Sequence, residues 1–132
     1  MKIQVYHLNI IATQEDVDHV NRVGWGGHPK FTMHADITVF GGDPRGRQAV
    51  RCAWSEGFYK AAGPEWEVYT TDVLSALEEV YHNTQNLTKG GWCPGGRERS
   101  SSVGDIFVVD GDRGFMVASM GFVEIPLRGV AA

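Results

Sequence analysis

The chain has 132 residues, of which 42% are hydrophobic and 21% are charged, and its formal net charge is −4. This composition excludes a disordered tail, a coiled coil and a low-complexity linker, and the length predicts one domain over residues 1–132. So mild an acidity is not typical of a protein that works by neutralising phosphates. Glycine is frequent, at 17 residues against 5 prolines, so many turns are expected.

Cysteine usage and the N-terminus predict the compartment. Cys52 and Cys93 stand far apart and outside any C-x-x-C pair, which is typical of reduced thiols rather than of a disulfide framework or a zinc site. The N-terminal residues lack the basic, apolar and small-residue order of a signal peptide. No apolar run approaches the roughly 20 residues that cross a bilayer. We therefore expect a cytoplasmic protein.

The first part of the chain predicts a strand, a helix and a second strand. Residues 2–11 alternate as a strand, which places His7 on an apolar face. A short N-terminal helix is predicted at about 13–23, with Thr13 as its N-cap and three valines as its buried stripe. Residues 31–40 predict the next strand.

The middle of the chain contains a turn, an ambiguous segment, a strand and the clearest helix. Residues 41–46, Gly-Gly-Asp-Pro-Arg-Gly, predict a hairpin turn. They lack the order of a phosphate-binding loop, and Pro44 removes one of the amides that such a loop needs. Residues 47–59 fit a helix and a strand almost equally well, and residues 66–70 predict a strand after a Gly-Pro turn. An amphipathic helix is predicted at about 72–86.

The last part predicts two or three strands, at 105–110, 114–119 and 122–127. The sequence Asp110-Gly-Asp-Arg-Gly predicts a tight hairpin between the first two. No internal repeat or linker divides the chain. Together the elements predict an α+β fold, with a mostly antiparallel sheet, one strong amphipathic helix and a shorter N-terminal helix.

Two glycine-rich loops each carry a tryptophan. Trp25 lies in Gly-Trp-Gly-Gly and Trp92 in Gly-Gly-Trp-Cys-Pro-Gly-Gly. A tryptophan in such a loop offers a partner a large contact area, and it can equally fold back over the core. The sequence leaves both alternatives open.

The C-terminal half carries a more specific order of motifs. The helix at about 72–86 is followed by the loop with Trp92 and then by Arg99-Ser-Ser-Ser-Val-Gly-Asp at the entry to a strand. Gly-Phe pairs follow at 114–115 and 121–122.

This order, over residues 66–125, resembles small uncharacterised proteins of actinobacteria, their phages and plasmids. It is also similar to the YodL-type domain of mobile-element proteins. The helix end departs from the Thr-Asn pair of that family, because residues 83–86 are Asn-Thr-Gln-Asn. Residues 1–65 carry no such resemblance. The resemblance implies a phage or mobile-element origin, with the host cytoplasm as compartment if a phage encodes the chain. It also implies a compact α+β module, and the family has no agreed activity.

The Arg-Ser-Ser-Ser-Val-Gly-Asp motif favours a structural latch over a ligand site. Asp105 is placed to accept from nearby amides or to pair with Arg99, which is also placed to reach the carboxyl end of the helix. Ser102 suits a local turn, and Gly104 suits a backbone position with unusual torsions.

The favoured function is a non-enzymatic accessory protein that binds a host protein or a protein of the mobile element. No complete catalytic set is present, because the serines at 100–102 lack a nucleophile elbow and neither cysteine has a catalytic context. We expect neither a cofactor nor a metal. The expected partner contacts are Trp25, Trp92, Arg97 and Arg99.

Two alternatives remain open. A nucleic-acid-associated accessory protein would use a modest basic group, made of Arg45, Arg47, Arg51, Arg97 and Arg99. A small metal-dependent enzyme would be built around Glu15, His19 and His34, although the spacing indicates no further ligand.

Overall fold

The computed structural model describes residues 1–87, 91–93 and 98–127. Within these residues five antiparallel strands form one sheet in the order β2-β1-β3-β4-β5. The strands are β1 Lys2–Leu8, β2 Tyr59–Glu67, β3 Ile106–Val109, β4 Arg113–Val117 and β5 Phe122–Ile125. The helices are α1 Gln14–Val23, α2 Pro29–Phe40, α3 Pro44–Ser55 and α4 Val73–Asn83. The predicted α+β class with an antiparallel sheet is confirmed.

The sheet has a separate apolar core on each face. One core joins alternate residues of β1, including Ile3 and Val5, to the buried stripe of α4 around Leu77. The other joins β3 and β4 to α2 and α3, through residues such as Ile37 and Val50. The sheet is therefore the middle of three layers, because each of its faces needs a cover of helix.

The central strand β1 follows the predicted alternation. Ile3, Val5 and His7 are buried on the α4 face, as predicted, and His7 is 5% exposed. The strand ends at Leu8, three residues before the predicted end. An imidazole on an otherwise apolar strand face places a titratable group at the end of the core.

The predicted strand at 31–40 is wrong, because these residues form the helix α2. His28 caps the helix by accepting from the Lys30 N–H, and Pro29 occupies the first turn, where its missing N–H costs nothing. In a strand, Ile37 and Val39 would point to the same face and be buried alike. Ile37 is buried whereas Val39 is 73% exposed, as a helix allows.

The predicted hairpin turn at 41–46 is also wrong, since this segment connects α2 to α3. Asp43 is the N-cap of α3 and accepts from the N–H groups of Arg45 and Gly46. Pro44 lies in the first turn of the helix. The ambiguous segment at 47–59 is resolved as helix up to Ser55.

The two predicted helices are present at 14–23 and 73–83. Thr13 caps α1, and with Asp16 it forms a capping box. The predicted buried stripe of α1 is wrong, because the helix buries no residue and Val23 is 54% exposed. This helix is held instead by polar contacts, including the Asp16–Lys30 ion pair at 2.8 Å.

The C-terminal strands and their hairpin match the prediction. Asp110 and Gly111 both have positive φ, at 51° and 78°, and lie in the short connection between the paired residues Val109 and Arg113. The strand predicted at 66–70 is instead the end of β2, and the predicted Gly63-Pro64 turn lies inside that strand. Among the described helices, none combines the length and apolar character needed to cross a membrane.

Candidate functional site

Asp105 is the centre of a buried polar cluster at the end of the sheet. Its carboxylate is fully buried and forms a two-pronged ion pair with the Arg99 guanidinium, with both N–O distances at 2.7 Å. The same carboxylate accepts from the N–H groups of Leu8, at 2.9 Å, and Ser102, at 2.8 Å. The Asp105 side chain therefore fixes the 98–105 loop to the end of β1.

Arg99 also contributes to this attachment. Its guanidinium donates to the carbonyl of Leu8 at 3.1 Å and to the carbonyl of Ser100 at 3.0 Å. The predicted contact of Arg99 with the end of the α4 helix is wrong, because the Ser101 N–H donates to the carbonyl of Thr84 there. Arg99 and Asp105 together form a latch to Leu8, from which they are separated by 91 and 97 residues of sequence.

Gly104 and Ser102 shape the turn of this loop. Gly104 has φ +95°, and a Cβ there would overlap the Ile37 side chain. Its carbonyl accepts from the hydroxyl of Tyr59, whose pKa is raised by burial, so that the hydroxyl keeps its proton. The carbonyl of Ser102 accepts from the Asp105 N–H at 3.0 Å and closes the turn.

His7 lies between the latch and the core. Its Nε2 is 3.2 Å from the Ser101 hydroxyl and 3.9 Å from Asp105, and its Nδ1 is 3.6 Å from Glu98. Burial lowers the pKa of His7, against the opposing effect of Asp105. Histidine, serine and glutamate thus stand in the order of a hydrolase triad. Ser101 is only 2% exposed, however, so a substrate has no approach to its hydroxyl.

A cleft of about 510 Å³ opens over this cluster at the end of the sheet. Its walls combine charged, polar and aliphatic groups. Such a lining suits a ligand that has both polar and apolar parts. The lining residues are His7, Leu8, Asn9, Ile10, Ile11, His34, Thr38, Lys60, Glu98, Arg99, Ser102 and Val103.

Each of the two tryptophans contacts a histidine of this cleft. Trp25 stacks on His34 with ring centroids 3.8 Å apart, and Trp92 makes an edge contact with His7 at 6.2 Å. Both histidines line the cleft. Trp25 and Trp92 are each half-buried. Two tryptophans that are distant in sequence therefore each contact a wall of one cleft, which Arg99 also lines.

Trp92 also contacts the core. Its ring lies 6.2 Å from that of Trp66 and so close to Gly63 that a Cβ there would approach it to 2.7 Å. Its indole N–H donates to the carbonyl of Arg99 at 2.8 Å. The ring thus covers the α4 core and supports the latch at once.

The remaining arginines of the sequence analysis have other places. Arg45 pairs with Asp36 at 3.2 Å, and Arg47 donates to the carbonyl of Gly42. The Nε of Arg51 is buried with no hydrogen-bond partner among the described residues. Arg97 lies outside the described residues. Arg45, Arg47 and Arg51 are not among the residues that line the cleft with Arg99.

The proposed metal ligands do not converge. His19 stacks on Phe31 at 4.5 Å and its Nε2 is 2.8 Å from the carbonyl of Gly26. His34 stacks on Trp25 from a helix rather than from a strand. Across residues 1–87, 91–93 and 98–127, no group of three or more His, Cys, Asp or Glu side chains is placed to hold a metal ion.

The sequence analysis missed three residues of this site: His7, Glu98 and Lys60. A signal existed for His7, because an ionisable residue on the apolar face of a central strand must find polar partners there. No comparable signal existed for Glu98 and Lys60, which belong to the site only through the loop and the strand pairing.

Two histidines, the buried His7 and the half-buried His34, are expected to make stability depend on pH. Burial lowers the pKa of both His7 and His34 below 6.5. Below that value the unfolded chain binds more protons than the folded one, so we expect stability to fall as the pH drops from about 7 to about 5. The carboxyls with lowered pKa values, such as those of Asp72 and Glu124, lose their contribution only below about pH 4.

The measurement is the urea midpoint at the two ends of this range. His7→Gln and His34→Gln should each flatten the dependence, and His82→Gln, at an exposed position of α4, should leave it unchanged. An equal slope in the wild type and both buried-histidine variants would contradict this assignment.

Trp92→Ala is expected to lower the free energy of unfolding by about 2 kcal/mol, below the range for a fully buried tryptophan because the ring is half-buried. Trp92→Phe should recover most of the packing while losing the bond to the Arg99 carbonyl. Urea unfolding followed by circular dichroism measures both. A Trp92→Ala variant as stable as the wild type would show that the ring adds nothing to the core.

Comparison with protein-family models, with curated proteins and with solved structures finds no match to this chain.

Proposed function

We propose that this protein is a non-enzymatic binding module that docks on a host protein or a protein of a mobile element through the cleft at the end of its sheet. One observation carries the proposal: Trp25 and Trp92 each contact a different histidine that lines this cleft. Half-buried aromatic rings around a mixed polar and apolar surface are typical of protein-binding sites.

The chemistry of the cleft supports binding rather than catalysis. Asp105 and Arg99 use their charges on each other and on the backbone. The one serine within hydrogen-bond distance of His7 is buried. A phage or mobile-element origin is part of the same proposal and rests on the motif resemblance of residues 66–125.

The test is capture of a partner from a lysate of the cell that expresses the protein, with matched surface variants. Ile11 lines the cleft and is 40% exposed, while Leu74 lies on α4 away from it and is 51% exposed. Ile11→Glu should abolish recovery of a protein that the wild type captures, and Leu74→Glu should retain it. Both variants change one exposed aliphatic residue to glutamate and should fold like the wild type.

Equal recovery of every captured protein by wild type and Ile11→Glu would contradict docking through the cleft. Loss with Leu74→Glu but not with Ile11→Glu would move the binding surface to α4.

A further inference from the structure

The strand β2 forms one edge of the sheet, next to the cleft. Among the described residues β1 is its one pairing partner. The exposed side of an edge strand presents unpaired N–H and C=O groups that can pair with another chain. Lys60 and Ala61 are exposed on this strand, and Lys60 also lines the cleft.

The hydrogen bonds of β1 show which groups of β2 face outward. On the β2 side, the Asn9 N–H donates to the carbonyl of Phe58. On the β3 side, the Leu8 N–H donates to the Asp105 carboxylate, and the carbonyl of Lys2 accepts from the Asp110 N–H. Odd-numbered residues of β1 therefore bond towards β2 and even-numbered residues bond towards β3, as antiparallel pairing requires.

It follows that Lys60 and Ala62, opposite His7 and Val5, direct their backbone groups to β1. The residues that alternate with them, Tyr59 and Ala61, direct their N–H and C=O groups away from β1, to the outer edge of the sheet. Within the described part of the chain no backbone group bonds to these four groups.

The usable length of this edge is short. After Ala62 the register shifts, because two positions of β1, Ile3 and Val5, face residues that are four apart on β2. Pro64 lies in this irregular stretch and has no N–H to donate. Added pairing is thus limited to the stretch 59–62.

The charge of this stretch indicates what can pair with it. Lys60 takes part in none of the ion pairs among the described residues. Its side chain lies on the same face as that of His7, because directly opposed residues share a face. A residue added opposite Lys60 would place its side chain on this face, beside the cleft.

We propose that the outer edge of β2 at Tyr59–Ala62 receives an extended segment of a partner protein as a sixth strand, with an acidic residue of that segment opposite Lys60. The inference rests on the proposed function and specifies which kind of partner segment binds beside the cleft. Glu65 and Glu67, further along β2, repel an acidic residue there and so favour its position at Lys60.

The experiment selects short linear peptides from a displayed random library on the full protein. The selected sequences should alternate β-branched residues around one acidic residue. Ala61→Pro removes an outward N–H without removing a bond to β1, and it should weaken binding of a synthetic selected peptide about tenfold. Ala61→Thr, which keeps the N–H, should bind as the wild type does.

A charge exchange tests the register. Lys60→Glu should lose the acidic peptide and should bind the same peptide with lysine in place of its acidic residue. In the wild type, amide exchange at Tyr59 and Ala61 should slow when the peptide is added, which keeps the test valid if Ala61→Pro fails to fold.

The inference is overturned if no peptide is selected, if the peptide leaves amide exchange at Tyr59 and Ala61 unchanged, or if charge exchange does not restore binding. A peptide that is lost with Ile11→Glu but bound by Ala61→Pro would refute the added strand and leave the proposed docking cleft standing.

Discussion

Asp105→Ala should lower the free energy of unfolding by about 3 kcal/mol, a large part of the 5–15 kcal/mol typical of a domain. The substitution removes a fully buried carboxylate and leaves the N–H groups of Leu8 and Ser102 without their acceptor. The Arg99 side chain is 45% exposed and can turn to water, so the loss lies at the low end of the range for a broken buried pair. Urea unfolding measures it.

A surface ion pair provides the control for Asp105→Ala. Arg113 and Glu124 pair through two contacts of 3.1 Å, and both side chains are about half exposed. Glu124→Gln should change the urea midpoint little, because exposed pairs gain little over hydration. Similar midpoints for Asp105→Ala and Glu124→Gln would refute the role of Asp105 as the centre of the latch.

Gly104→Ala is expected to lower the free energy of unfolding by about 2–5 kcal/mol, from backbone strain at positive φ and from overlap with Ile37. The backbone at Gly104 has little freedom to move away. Its N–H donates to the carbonyl of Val117 at 2.8 Å, and its carbonyl accepts from Tyr59. Thermal and urea unfolding would both report the loss.

Gly111→Ala separates the two causes. Gly111 has φ +78°, but a Cβ there would meet nothing within 4 Å. Its loss of stability should therefore contain the strain alone, and the difference from Gly104→Ala should contain the overlap with Ile37. Equal losses for the two variants would show that the packing at Ile37 relaxes freely.

Predictions from the sequence succeeded where local signals and tertiary context agree. Thr13 with Asp16 specifies the start of α1, and the Asp110-Gly hairpin requires positive φ at two residues that tolerate it. They failed at residues 31–40, where β-branched and aromatic residues favour a strand by propensity. The cap at His28, the first-turn Pro29 and packing against α3 decide for a helix.

The site was predictable in part. The Arg99–Asp105 pair is close in sequence and carries opposite charges, so the motif itself indicates the contact. The partners from β1 and β2, namely His7, Leu8 and Lys60, depend on strand order, which the sequence does not encode locally. For the same reason, sequence alone did not indicate that Trp25 and Trp92 each contact a histidine of one cleft.

The position of β1 in the sheet sets the order in which the chain can assemble during synthesis. This strand is made first, yet its two neighbours begin at residues 59 and 106. β1 can pair with β2 once residues 59–67 have been made, but it gains its second neighbour only when β3 emerges, and such distant pairing slows folding. Residues 1–65 and the strands β3 to β5 consequently share one sheet, and separating them would expose the paired edges of β1 and β3.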